Sequence, residues 1–140
     1  MGNNGSLIRE GTPVASIKAA APAAGTVNGA SIDMRGYDEV LVIVSVGAIA
    51  SAHTLDVKLQ ESANNSAWAD ITDGAFPQCV DGDGENEVHL GRVVCSYSGR
   101  KRYLRAVGTG VGATAIPYSV ILIPTRDQTA DSAPTYGLSI

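Results

Sequence analysis

A chain of 140 residues fits a single domain, and at that length roughly 68–70% of the extended surface can be buried without staples. A formal net charge of −4 and a pI near 5.0 argue against a protein that wraps nucleic acid, because a phosphate-binding surface carries a basic excess. Sixteen glycines against one Phe and one Trp describe many turns around an aliphatic core. Glycine disfavours helix interiors and β-branched runs favour strands, so the expected class is all-β. Cys79 and Cys95 allow one bridge at most and fit no zinc pattern, so reduced thiols are expected ahead of a disulfide. The opening MGNNGSLIREG lacks the charged-then-apolar order of a signal peptide. The longest apolar run, 40–50, is broken by Ser45 and too short for a membrane helix, so a soluble chain without a membrane partner is expected.

Residues 1–25 carry little periodicity and hold Pro13 and Pro22, which predicts an extended N-terminal arm. Such an arm is either a disordered start or a segment that orders on a partner or neighbouring subunit. The sandwich domain is expected over 26–124. A strand is predicted at 26–33, with Val27 and Ile32 pointing inward, and a turn at Gly36-Tyr37-Asp38. The run 39–48, EVLVIVSVGA, places Val40, Val42, Val44 and Val46 on one side and Leu41 and Ile43 on the other. With both faces apolar, that strand should be central and covered on each side.

In 54–72, TLDVKLQESANNSAWADIT, Leu55, Val57 and Leu59 alternate with Asp56, Lys58 and Gln60, the period of a half-buried antiparallel strand. A polar turn, 61–66, leads to a short return strand opened by Trp68. Trp68 is expected to plug the core, and its truncation to Ala to cost about 3–5 kcal/mol. An irregular stretch, 73–86, precedes a strand at 87–97, where a bulge at Gly91-Arg92 would keep Leu90 and Val93 or Val94 on the core face. After the basic turn 98–102, segments 103–109 and 113–124 read as a hairpin through 108–112, with Pro117 marking an edge or bulge. Residues 125–140 are expected to form a C-terminal arm. The whole is a single β-sandwich, jelly-roll or Greek-key-like, with arms at both ends.

Little points to catalysis. His53 and His89 have no motif partner, and neither HExxH, GxSxG nor a P-loop occurs. His89, out of phase with Val88 and Leu90, is expected to face solvent or an interface. Asp81, Asp83, Glu85 and Glu87 alternate as calcium ligands do, yet the run lacks the EF-hand pattern and its glycines account for a turn. No enzyme activity, metal or cofactor is therefore expected. The one charge concentration is Arg100, Lys101 and Arg102, with Arg105 nearby. It is either a solvated hairpin tip or a docking point for an acidic protein surface.

Three segments, 35–49, 54–72 and 98–107, carry an ordered set of motifs. They are Gly36-Tyr37-Asp38, then Val57-Lys58-Leu59-Gln60-Glu61-Ser62, Trp68-Ala69-Asp70-Ile71, and Arg102-Tyr103-Leu104-Arg105. The set covers about half the chain and resembles tailed-bacteriophage capsid decoration (cement) proteins and related small virion proteins. That resemblance implies a β-sandwich, often a homotrimer, made in the host cytoplasm, which binds the major capsid protein on the outside of the head. It implies stabilisation of the shell by binding alone, with no active site. The expected contacts are Leu7, Ile8 and Arg9 in the N-terminal arm and Arg100, Lys101 and Arg102 in the basic turn. The alternatives are another virion role, in head completion or the tail, and a carbohydrate-binding module using Trp68 and the tyrosines.

Overall fold

The computed structural model describes residues 8–10, 13–95 and 99–127, with the backbone alone at 8–10 and 127. Aliphatic and β-branched alternation turns these residues into eleven strands. They are β1 (Ile8–Glu10), β2 (Val14–Ala20), β3 (Gly25–Asn28), β4 (Ile32–Asp33), β5 (Glu39–Val46), β6 (Thr54–Ser62), β7 (Ala69–Ala75), β8 (Cys79–Val80), β9 (Val88–Val94), β10 (Tyr103–Val111) and β11 (Tyr118–Asp127). Every strand pairing is antiparallel. The first sheet runs β1–β11–β5–β9, with β2 sharing the β1 side of β11; the second runs β3–β10–β6–β7, with β4 on β10 and β8 on β6. When each interrupted pair (β1 with β2, β3 with β4, β7 with β8) is counted as one strand, the first sheet holds the first, eighth, third and sixth strands. The second sheet then holds the second, seventh, fourth and fifth. That interleaving is a jelly roll, two Greek keys folded into a double sheet.

The core lies between the sheets. Val40, Val42, Val44, Val120 and Leu122 enter from the first sheet, and Leu55, Val57, Leu59, Leu104 and Ala106 from the second; none is more than 3% exposed. The period of two in β5 and β6 accomplishes this, since alternate side chains share a face.

Several expectations change in the folded chain. The N-terminal segment is extended, but where described it belongs to the sandwich: β1 and β2 pair with β11, and β11 itself continues to Asp127. Ser16 of β2 is 5% exposed and joins the two sheets. Its hydroxyl donates to the Ala30 carbonyl (2.7 Å) and accepts the Ala106 amide of β10 (3.0 Å). Gly29 fits beside it only for want of a side chain, because a Cβ there would lie 2.7 Å from the Ser16 carbonyl. Ser16→Ala should cost about 1–3 kcal/mol by stranding a buried amide, measured as a lower urea midpoint at unchanged slope.

Segments 103–109 and 113–124 do not form a hairpin. β10 continues through Gly108 and Gly110 to Val111 and lies in the second sheet, whereas β11 lies in the first. The glycines are there for packing: a Cβ on Gly108 would sit 2.6 Å from the Tyr118 ring. Nor does β9 bulge at Gly91-Arg92. Its register against β5 is unbroken, with His89 opposite Val44, Leu90 opposite Ile43 and Gly91 opposite Val42. Gly91 faces inward because the Phe76 ring occupies its side-chain space, 2.7 Å from where a Cβ would stand. His89 therefore turns toward the interior, and Leu90 points out with 76% of its surface exposed. Cys79 and Cys95 are free thiols, and burial pushes Cys95 up to about 11, which keeps it protonated at neutral pH.

Candidate functional site

The polar turn after β6 is held by its own side chains. The Asn64 Oδ1 accepts the Ser66 and Ala67 amides at 3.0 and 2.9 Å, and the Ser62 hydroxyl accepts the Asn64 and Ser66 amides at 3.3 Å. Asn65 takes the left-handed conformation (φ 59°), which asparagine tolerates better than most residues. This turn sets Trp68 on the outer face of the second sheet, half-buried, instead of in the core. The Arg105 guanidinium covers the indole at 4.3 Å from the ring centroid, a cation–π contact. Arg105 in turn donates twice to the Gln60 side-chain oxygen (3.0 and 2.8 Å). Gln60 and Lys58 each donate to Asp70 at 2.8 Å, and those bonds, Lys58 first, hold its carboxyl below the usual range. Trp68 stays out of the core because the pairing Gln60↔Asp70 sets Asp70 on the outer face and Trp68, two residues earlier, shares that phase.

The basic turn is also engaged within the chain. Arg102 donates to both carboxylate oxygens of Asp33 (2.9 and 2.7 Å) and lies 4.9 Å from the Tyr103 ring centroid. Arg100 pairs with Glu61 at 3.6 Å, and the same carboxylate accepts the Lys101 amide at 3.1 Å. The Lys101 side chain is exposed. The predicted arm contacts lie apart from this turn. Ile8 and Arg9 run along the edge of the first sheet, opposite Asp127 and Arg126, while Leu7 falls outside the described residues.

The Arg102 guanidinium holds the Asp33 carboxyl well below the ordinary aspartate range. A depressed native pKa contributes stability above the unfolded value of about 3.9, and that contribution disappears as pH falls through the native value. The stability gap between the wild type and Asp33→Asn should accordingly be full at pH 6–7 and close progressively below about pH 4. Urea melts of both proteins across that range would show it; a gap independent of pH would contradict the pairing.

The acidic loop is used structurally. Glu85 accepts the Ile49 amide (2.8 Å) and the Gly82 amide (3.2 Å). His53 Nε2 accepts the Thr114 amide at 3.0 Å. His89 Nε2 lies 3.7 Å from the Cys79 sulfur and 3.9 Å from Glu87. Among the described residues no group of three or more His, Cys, Asp or Glu side chains could hold a metal ion.

The outer face of the first sheet has a different character. Register places Leu41 and Ile43 of β5 beside Ile123 and Ile121 of β11, and beside Arg92 and Leu90 of β9. Val88 extends the row next to Ser45. Leu41, Ile43, Ile121 and Ile123 are half-buried by one another, while Val88 and Leu90 are 62% and 76% exposed. Strand β5 is central, as its composition predicts, but among the described residues only its valine face is covered. Across the β5–β9 part of this face Glu39 and Arg92 pair with each other at 2.6 Å, while Lys18 is exposed on β2. Monomeric proteins rarely expose a contiguous apolar patch larger than a few hundred Å², and larger ones mark association surfaces. The signal lies in the sequence at 40–46 and 120–123, where apolar residues occupy both phases of the alternation.

No protein-family model matches this chain, and no curated protein matches it. Among solved structures it is similar to the crystal structure of the SPBc2 prophage-derived protein YomS. The two share 15% identity over 89% of this chain and 99% of that one, with a TM-score of 0.51. The likeness is one of fold.

Proposed function

We propose that this chain is a non-enzymatic structural protein of a phage virion, a decoration protein that binds the outside of the assembled head and stabilises it. The observation that carries the reading is the jelly roll itself, a recurrent subunit fold of assembled shells. Viral capsid and lectin domains are recurrent users of this architecture. The prophage origin of the similar structure and the decoration-protein motifs at 36–38, 57–62, 68–71 and 102–105 support the same setting. In this role, many weak contacts to a symmetric shell sum to tight attachment, so no single site needs high affinity. The major capsid protein is the partner, and the function is accomplished by binding energy alone.

The half-exposed Trp68, with Gln60, Asp70 and Tyr103 on its face of the sheet, favours a second reading as a carbohydrate-binding module. Arg105 already covers one side of the indole, which weakens it as a sugar platform. Copy number relative to the major shell protein, in purified particles from the source, tests the first reading. Hundreds of copies in simple ratio to the shell subunit are expected. A handful per particle would move the protein to a neck or tail position. None would overturn the virion role, and glycan titration followed by tryptophan fluorescence would then decide the second reading.

A further inference from the structure

We infer that the outer face of the first sheet, centred on Ile43, Ile121 and Leu90, is where a second copy of this chain docks, sheet against sheet. The assignment concerns the protein's own association and stands apart from where it attaches on a particle. Three features of the face select this occupant.

The first is composition. The outward Leu41, Ile43, Ile121 and Ile123 repeat the chemistry of the inward Val40, Val42, Val44, Val120 and Leu122, which already pack against a sheet. Two flat aliphatic sheet faces interdigitate at a spacing of about 10 Å, and the inner halves of a sandwich do the same. The second is charge. The chain has a net charge of −4, yet on the β9–β5–β11 part of this face Glu39 and Arg92 neutralise each other, and the exposed Lys18 lies on the flanking β2. A charged partner gains nothing from such a face, while a second copy meets no like-charge repulsion there.

The third is area. Four strands at about 4.8 Å spacing are about 19 Å wide, and eight residues at about 3.4 Å are about 27 Å long. The footprint is then about 500 Å² per copy and about 1,000 Å² for the pair, the lower bound for a biological interface and the size of a reversible one. In a two-fold pair the same patch serves both copies, so the aliphatic row of one copy can lie on that of the other.

Sedimentation equilibrium on the full chain tests the assignment, with Leu90→Asp as the probe. Leu90 is 76% exposed, so this change leaves the isolated fold intact, as circular dichroism and an unchanged thermal transition at low concentration would verify. The wild type is expected at 2 × 14.4 = 28.8 kDa in the micromolar range. Leu90→Asp should weaken the association by about tenfold or more, because it places a carboxylate in an apolar contact. A wild-type monomer at about 100 μM, or an oligomer that Leu90→Asp leaves intact, would overturn it. A chain ending at Asp127 should still associate. If instead the full chain is monomeric and only that truncation associates, the segment 128–140 covers the face and the inference fails. Loss of shell attachment in Leu90→Asp, with a monomeric wild type, would assign the face to the capsid and also overturn it.

Discussion

Leu122→Ala is expected to destabilise the protein by about 2–5 kcal/mol, a large share of the roughly 5–15 kcal/mol available to a domain of this kind. Leu122 is 0% exposed. It sits on β11, between β5 on one side and β1 with β2 on the other, opposite Val42 in the register. Its removal leaves a cavity in the core between two paired sheets. Such surroundings relax poorly, so the transfer loss and the cavity cost add. The informative control is Leu90→Ala, the same chemical change on the same sheet. Leu90 is 76% exposed, so at low protein concentration its truncation should shift the urea midpoint by less than about 0.5 kcal/mol equivalent. Equal losses at the two positions would mean that the inside and outside of the first sheet have been misassigned.

Gly108→Ala is expected to cost about 1–3 kcal/mol through overpacking. The Tyr118 ring lies across Gly108, and a Cβ would stand 2.6 and 2.7 Å from two of its carbons. Tyr118 is itself 4% exposed and anchors the start of β11, so it has no free space to retreat into. Its hydroxyl is buried without a hydrogen-bond partner among the described residues, and burial raises its pKa. Tyr118→Phe should therefore be neutral or stabilising by up to about 1 kcal/mol, because the orphaned hydroxyl is removed along with its desolvation cost. Combined with Gly108→Ala, it should recover part of the loss, since the hydroxyl is among the atoms that the new methyl meets. A double-mutant cycle on urea midpoints measures that coupling. Strict additivity would show that the two residues do not share the contact.

Sequence determined whatever depends on one strand and its neighbours along the chain. Alternation in 54–60 and 40–46 predicts which side chains of β6 and β5 face the core, and the burial of Leu55, Val57, Leu59 and the four valines agrees. Glycine and asparagine turns set the strand lengths, and the all-β sandwich follows. The apolar doubling in 40–46 also marks β5 as a central strand with something to bury on each side. Tertiary structure decided what covers each face, because strand order is a non-local property that periodicity does not encode. In the jelly roll β10 and β11 enter different sheets, so the glycines between them serve a tyrosine's packing instead of a hairpin. Gly91 turns inward under Phe76, which exposes Leu90 and exchanges the environments expected for it and His89. Trp68 is carried past the core by a turn that its own asparagine and serine side chains close. Two arginines of the basic turn meet carboxylates far away along the chain, Arg102 with Asp33 at 69 positions and Arg100 with Glu61, so charge that is concentrated in the sequence is neutralised in the fold. Every described strand belongs to one of the two sheets, and none of them lies over the second face of β5, because both sheets spend their partners on the shared core.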